Sequence, residues 1–156
     1  MQTILTRALA ALAITAVAAL GADNSIGTWK LNMAKSKFTP GPGPVKSLTV
    51  TREASEGGIK QTATGERADG TPVNASFTAK YDGQAVQVEG NAPYDTIAVK
   101  QVDANTLTDE RKKAGSQYRA TGNTVISNGG RTMTMTMKGT AADGEPFTNS
   151  MVFDKQ

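Results

Sequence analysis

The side chains that most enzymes use for nucleophilic and acid–base chemistry are scarce in this sequence. The 156 residues include no Cys and no His, which excludes thiol catalysis, imidazole bases, zinc-finger ligand sets and His-ligated haem. None of the eight serines after residue 21 begins a Ser-x-x-Lys motif, and the chain has no Gly-x-Ser-x-Gly elbow, phosphate loop or EF-hand spacing. Asp109 and Glu110 are adjacent on a predicted strand and so face opposite ways. We therefore expect no catalytic residue, no metal site and no cofactor.

Binding chemistry has more support, because polar side chains share strand faces with apolar ones. Three methionines alternate with threonines near the C-terminus, and methionine adapts to varied apolar shapes. Arg52 and Gln101 are the best groups for an acidic or carbonyl head, because apolar neighbours share their faces. The predicted ligand-binding residues are Arg52, Phe77, Tyr81, Gln101, Met133, Met135, Met137 and Asn149. Alternatively, the Met and Phe residues fill a core and the arginines lie at its rims.

The charge pattern argues against a nucleic-acid partner. The net charge is +3, from 17 Lys and Arg against 14 Asp and Glu, and only 5% of the residues are aromatic. The nearest approach to a basic run is Arg111-Lys112-Lys113. Nucleic-acid binders concentrate basic residues on one face and add aromatic side chains for stacking. We read the positive charge as a solvated surface.

The N-terminus has the pattern of a targeting segment. Arg7 is the only charged residue among the first 22, and the 13 residues Ala8–Leu20 that follow it are almost entirely apolar. That stretch is shorter than the roughly 20 residues that span a bilayer. Small residues at 19 and 21 predict a signal peptide over residues 1–21, which leaves a domain over residues 22–156. Because no Cys follows, we expect a periplasmic or secreted protein and not a lipoprotein.

The rest of the chain predicts short strands joined by tight turns. Apolar and polar residues alternate, and Gly-containing pairs such as Asp69-Gly70 and Asp143-Gly144 interrupt them about every ten residues. A single helical turn is expected near Met33–Lys37, before a proline-rich link. The predicted strands lie near residues 26–31, 45–54, 58–67, 72–81, 85–89, 95–102, 106–112, 116–126, 131–139 and 147–154.

One apolar and one polar face per strand predicts an all-β fold. A meander of this kind must bury one face and protect its edges, and closing the sheet into a barrel does both. We therefore expect an antiparallel up-and-down meander of about 8–10 strands closed into a barrel. A two-sheet sandwich is the main alternative, because the same alternation fits both. The outward faces carry Thr, Ser, Asn and Lys, so we expect no membrane-spanning barrel.

The first predicted strand resembles a known family. Its Gly27-Thr28-Trp29-Lys30-Leu31 is similar to the Gly-x-Trp signature of the calycin barrels, the lipocalins and fatty-acid-binding proteins. The run to Lys35-Ser36-Lys37-Phe38 resembles small exported bacterial proteins with a lipocalin-like domain. The resemblance implies a tryptophan that closes one end of the barrel under an arginine from a late strand. Arg131 is the best candidate for that arginine, because it shares strand parity with Met133 and Met135 and is therefore expected to point inward, and Arg119 is the second.

The sequence also departs from these families. The link Asn32–Pro44 is too short for the helical lid of fatty-acid-binding proteins, and their C-terminal Arg-x-Tyr clamp is missing. The resemblance therefore supports the fold more than the ligand. We expect an exported binding protein, not an enzyme, that holds a small apolar or amphipathic molecule. The alternative is an exported structural or protein-interaction domain with a filled barrel.

Overall fold

The computed structural model describes residues 21–156, whose regular structure is almost entirely β. A 3₁₀ turn over Met33–Lys35, whose N-cap is Asn32, interrupts the strands near the start. The strands are β1 (Gly27–Leu31), β2 (Lys37–Thr39), β3 (Val45–Ser55), β4 (Gly58–Arg67), β5 (Pro72–Lys80), β6 (Asp82–Gln87), β7 (Glu89–Gly90), β8 (Thr96–Asp103), β9 (Thr106–Lys112), β10 (Arg119–Ser127), β11 (Thr132–Thr140) and β12 (Pro146–Lys155). Apart from Gly21, the predicted signal peptide lies outside the described residues.

The strands form one antiparallel sheet that is nearly closed into a barrel. Hydrogen-bonded neighbours follow the order β6-β8-β9-β10-β11-β12-β1-β3-β4-β5-β7. The two ends of this order, β6 and β7, are consecutive parts of one chain segment separated by Val88. That segment pairs with β8 through β6 and with β5 through β7, at Ala75–Gly90 and Ser76–Glu89. The predicted up-and-down barrel is confirmed and the sandwich is excluded.

The sheet has the strand count that the sequence predicts. With β6 and β7 taken as one strand and β2 left aside, the meander has ten strands. The extra strand β2 pairs with β12, where Phe38 lies opposite Asn149. Sequence patterning missed β2 because it spans three residues at the edge of the proline-rich link.

Alternating burial defines the barrel wall. Every second residue of β10 is buried, and Met133, Met135 and Met137 of β11 are all buried. The buried apolar side chains form two clusters. One surrounds Trp29, the methionines and Phe153, and the other surrounds Ile59, Phe77 and Ile97. The interior is filled mainly by side chains from opposite walls of the barrel.

The segment before β1 closes one end of the barrel. The amide nitrogen of Asn24 donates to the carbonyl of Ala104 (2.9 Å), and its side chain bonds that of Asn105 (2.8 Å). Trp29, fully buried, donates its indole N–H to the carbonyl of Ser25 at 2.8 Å. These contacts fix the segment across the turn between β8 and β9 and place Trp29 beneath it.

The predicted arginine cover of Trp29 is wrong. The ammonium of Lys155 lies 5.3 Å from the Trp29 ring centroid. Arg131 instead folds back on its own turn, where its Nε donates to the carbonyl of Asn128 at 3.1 Å. Arg131 precedes the first residue of β11 and is exposed. Because Arg131 lies before β11 begins, the alternation of inward and outward side chains along that strand does not apply to it.

Candidate functional site

Four of the buried polar side chains form the candidate site inside the barrel. Arg52 on β3 faces Gln61 across the strand pair, and Asp109 and Arg111 lie two residues apart on β9. All four are less than 9% exposed. Each occupies an inward position of its strand, so the closure of the barrel brings them into one interior. Buried polar groups require partners, and the partners of these four differ sharply.

Asp109 and Arg111 form a paired unit. Arg111 Nε donates to Asp109 Oδ1 at 2.6 Å, and Arg111 Nη2 donates to Asp109 Oδ2 at 3.3 Å. Arg111 Nη1 lies 3.3 Å from the sulfur of Met137, and the guanidinium sits 4.9 Å from the ring centroid of Tyr94. Burial by itself lowers the pKa of Arg111, but the adjacent Asp109 carboxylate raises it above its ordinary value.

A glycine makes room for this ion pair. Gly122 on β10 lies directly opposite Asp109. A Cβ atom at position 122 would lie 2.4 Å from Asp109 Oδ2, far inside van der Waals contact. The missing side chain therefore allows the carboxylate to stay inside the barrel beside Arg111, and it explains why this inward position of β10 carries no larger residue.

Arg52 lacks a charged partner. Its Nε donates to Gln61 Oε1 at 2.8 Å, whereas its Nη1 is buried with no hydrogen-bond partner among the described residues. Burial lowers the pKa of Arg52, although the more distant Asp109 carboxylate opposes that shift. Arginine remains protonated in proteins. The four buried groups therefore carry two guanidinium charges against one carboxylate, and Asp109 is already bound to Arg111.

A second polar cluster lies at the closed end. The Tyr81 hydroxyl donates to Asp23 Oδ2, and Asp23 Oδ1 accepts from the backbone N–H of Ser25 at 2.8 Å. Burial, followed by the hydrogen bond to Asp23, raises the pKa of the Tyr81 phenol above its usual range. Ser25 is buried, and its hydroxyl oxygen has no hydrogen-bond partner within residues 21–156. This cluster joins the segment before β1 to the barrel interior.

Three aromatic rings stack at the other end of the interior. The centroids of Tyr94 and Tyr118 are 6.1 Å apart, and those of Tyr118 and Phe147 are 6.0 Å apart. Tyr118 is buried, and burial raises the pKa of its phenol to about 12. Because Arg111 lies over Tyr94, the rings connect the ion pair to the rim of the barrel.

The structure places the predicted binding residues as follows. Arg52, Phe77 and the three methionines are buried in the interior. Tyr81 is half-buried and engaged with Asp23, and Asn149 is half-buried on β12. Gln101 lies toward the closed end, where its amide donates to the carbonyl of Ala22 at 3.2 Å. Sequence patterning missed Gln61, Asp109, Arg111 and Ser25 as site residues. Strand parity indicates the first three, and nothing in the sequence indicates Ser25.

Two depressions open on the surface of the protein. One, of about 300 Å³, spans β8 to β10, and its lining includes buried Asp109 and Gly122 as well as exposed Lys100, Glu110 and Thr121. The other, of about 340 Å³, lies beside the incompletely paired seam of β5 and β6, and its lining includes exposed Thr78 and Gln84 and half-buried Val86. Neither depression opens on Arg52.

The comparisons add no family to this description. No protein-family model matches the chain, and a search of curated proteins finds no match. The nearly closed antiparallel barrel is compatible with a calycin-like fold. Across residues 21–156, no group of three or more Asp or Glu side chains is arranged to hold a metal ion. No helix in the same residues is long and apolar enough to cross a membrane.

Proposed function

We propose that this chain is an exported, lipocalin-like binding protein that holds a small amphipathic anion inside its barrel. The observation that carries the proposal is the buried, unpartnered Nη1 of Arg52. A guanidinium removed from water without a partner is strongly disfavoured, so this nitrogen needs an acceptor. A ligand carboxylate or carbonyl supplies one, and the two flanking apolar clusters offer contacts to the rest of the molecule.

The methionines make such binding feasible in a well-filled barrel. Met133, Met135, Met137 and Met151 belong to the cluster around Trp29. Their unbranched side chains have many rotamers and repack around different apolar shapes. We expect a compact apolar body, because the interior residues leave little exposed surface among them. The ligand class that fits best is a small organic acid with a short apolar chain.

We propose binding and not catalysis because the buried polar groups lack a catalytic arrangement. Asp109, the one buried carboxylate of the interior set, is bound to Arg111 on two oxygens. The Ser25 hydroxyl makes no hydrogen bond to Asp23, whose carboxylate accepts from Tyr81 and from the Ser25 backbone, so no base is aligned to activate it. A general base must reach the proton that it removes.

A structural barrel without a ligand is the second candidate, and the packing favours it. Trp29, Met133 and Phe153 are completely buried, and neither of the two depressions described above is lined by these residues or by Arg52. In this account Arg52 is satisfied by bound water. The two candidates predict different responses to an added carboxylate. If bound water already accepts the hydrogen bond from Arg52, an added anion should bind only weakly.

Export is proposed from the sequence. The basic Arg7, the apolar Ala8–Leu20 and the small residues at 19 and 21 fit a cleaved signal peptide. N-terminal sequencing of material recovered outside the cytoplasm should give Ala22 as the first residue. Recovery of exported protein that retains residues 1–21 would contradict cleavage at this site.

Calorimetric titration tests the binding proposal. Butanoate, hexanoate, octanoate and decanoate are titrated into the mature protein, with octanol as the uncharged control. We expect affinity to rise about fourfold per added CH₂ until the interior is filled, following roughly 0.8 kcal/mol per buried CH₂. Octanol should bind more weakly than octanoate. Absence of binding by every acid in the series would favour the structural barrel.

A further inference from the structure

The two buried side-chain atoms without hydrogen-bond partners in the described part of the chain are Arg52 Nη1 and the Ser25 hydroxyl oxygen. Folded proteins pair nearly all such atoms, so each unpaired one needs an explanation. Both are hydrogen-bond donors, one charged and one neutral. A single oxyanion can accept from both at once, whereas one apolar group can satisfy neither.

The fold brings these two residues to the same end of the barrel. Arg52 lies directly opposite Gly27 in the pairing of β1 with β3, and Ser25 precedes Gly27 by two residues. Tyr81 links them further, since the Arg52 charge lowers the pKa of its phenol, against the dominant effect of burial, and the same phenol donates to Asp23, which holds the Ser25 backbone. Asp23, the nearby carboxylate, already accepts hydrogen bonds from the Tyr81 hydroxyl and the Ser25 backbone.

The backbone of Ser25 is held in place while its hydroxyl is not used. The Ser25 N–H donates to Asp23 Oδ1 at 2.8 Å, and the Ser25 carbonyl accepts the indole N–H of Trp29 at 2.8 Å. These two bonds fix the backbone of Ser25 and do not engage its hydroxyl. A donor whose backbone is fixed in advance loses less conformational entropy when it binds a ligand.

We infer that Ser25 and Arg52 together form an oxyanion site at the closed end of the barrel, and that its ligand is a carboxylate and not a neutral carbonyl compound. The Ser25 hydroxyl donates to one carboxylate oxygen and Arg52 Nη1 to the other. This inference rests on the proposed function and adds to it the second contact and the head-group class. It also makes the segment before β1 part of the binding site.

The test compares octanoate with octanamide, because both have the same apolar chain and only octanoate is an anion. Affinities are measured by calorimetry on the mature wild-type protein and on Ser25→Ala. Ser127→Ala is the matched control, since Ser127 is exposed at the end of β10. We expect Ser25→Ala to weaken octanoate binding roughly tenfold or more, because a hydrogen bond to a charged group is lost. Octanamide should bind wild type more weakly than octanoate and change little in the variant.

A measurement on the wild-type protein tests the inference even if Ser25→Ala does not fold. In ¹⁵N-edited spectra, octanoate should shift the Ser25 amide and the Arg52 Nε–H resonance together, and leave Ser127 unchanged. If octanoate binds and shifts Arg52 while Ser25→Ala binds it as tightly as wild type, the inference fails and the proposed function stands. Equal affinity for octanamide and octanoate would overturn the head-group assignment. If octanoate does not bind at all, both proposals fail.

Discussion

Asp109 and Arg111 pair with each other across one residue of β9, with 2.6 Å between Arg111 Nε and Asp109 Oδ1. This pairing decides the electrostatics of the barrel interior. It leaves Arg52, the other buried guanidinium, with only the neutral Gln61 as its partner. The pKa values of the two arginines move in opposite directions for this reason, upward at Arg111 and downward at Arg52. Arg111 has a charged partner, whereas Arg52 has a buried nitrogen without a hydrogen-bond partner in residues 21–156.

Removing the charge of Asp109 should destabilise the fold. Asp109→Asn keeps the shape of the side chain but leaves a buried, uncompensated guanidinium at Arg111. Breaking a buried pair in this way costs about 3–5 kcal/mol. The free energy of unfolding in urea measures it, with Glu53→Gln on the exposed face of β3 as the control. A loss no larger than that of the control would show that the pair contributes nothing.

Trp29 reports on the closed end of the barrel. It is the one tryptophan of the chain and is fully buried, so native fluorescence should be blue-shifted and move to longer wavelength on unfolding. Trp29→Ala should reduce the free energy of unfolding by about 3–5 kcal/mol as a large core truncation. Arg131→Ala should change it little, because Arg131 contacts its own turn. Emission typical of water-exposed indole in the native protein would refute this placement.

Stability should fall at alkaline pH through Tyr118. Burial raises the pKa of its phenol to about 12, whereas a tyrosine in the unfolded chain ionises near pH 10. Between these values the unfolded chain has lost a proton that the folded chain keeps, so the free energy of unfolding decreases as pH rises. Below about pH 10 both states are protonated and Tyr118 has no effect.

The expected contribution at pH 12 is a loss of about 2 kcal/mol. Urea unfolding of wild type and Tyr118→Phe over this range isolates it, since Phe keeps the stacking with Tyr94 and Phe147 but cannot ionise. The variant should lose correspondingly less stability than wild type. Parallel curves for the two proteins would contradict the assignment.

A larger side chain at position 135 tests how tightly the barrel interior is packed. Met135 is buried opposite Met151 and Thr124. Met135→Trp should overpack this layer and lower the free energy of unfolding by about 1–3 kcal/mol. It should also exclude the apolar chain of octanoate. Met33→Trp, at an exposed position, is the control. Octanoate affinity unchanged in Met135→Trp would place the ligand outside this cluster.

The sequence predicted the strands well because residue pairs such as Asp-Gly, which favour tight turns, mark where the strands end. Gly70, at φ +88°, adopts the left-handed conformation that its Asp69-Gly70 turn requires. Strand alternation then gave the inward faces of β5 and β11. Asp109 and Glu110 do face opposite ways, with one buried and the other exposed.

The interactions inside the barrel were not predictable in the same way. Predicting the Asp109–Arg111 pair requires knowing that both side chains point into one closed interior and that Gly122 lies opposite Asp109. The role of Ser25 depends on how a segment outside any strand crosses the barrel end. Arg131 was misplaced because parity was extended beyond the first residue of β11. Periodicity fixes a strand's faces, but contacts between distant strands depend on closure and register.

The most direct test of the central claim exchanges Arg52 and Gln61 for apolar residues together and adds octanoate. Arg52→Met with Gln61→Leu removes both partners of the 2.8 Å bond, so neither is left unsatisfied. Replacing buried ion pairs by apolar residues of similar volume is often neutral or stabilising by about 1–4 kcal/mol, and Arg52 has no carboxylate hydrogen-bonded to it that would be left unpaired. We predict that the ligand-free double variant is at least as stable as wild type. Octanoate at a hundred times its dissociation constant should stabilise wild type by about 2.7 kcal/mol and leave the variant unchanged. Equal stabilisation of both proteins by octanoate would contradict the account.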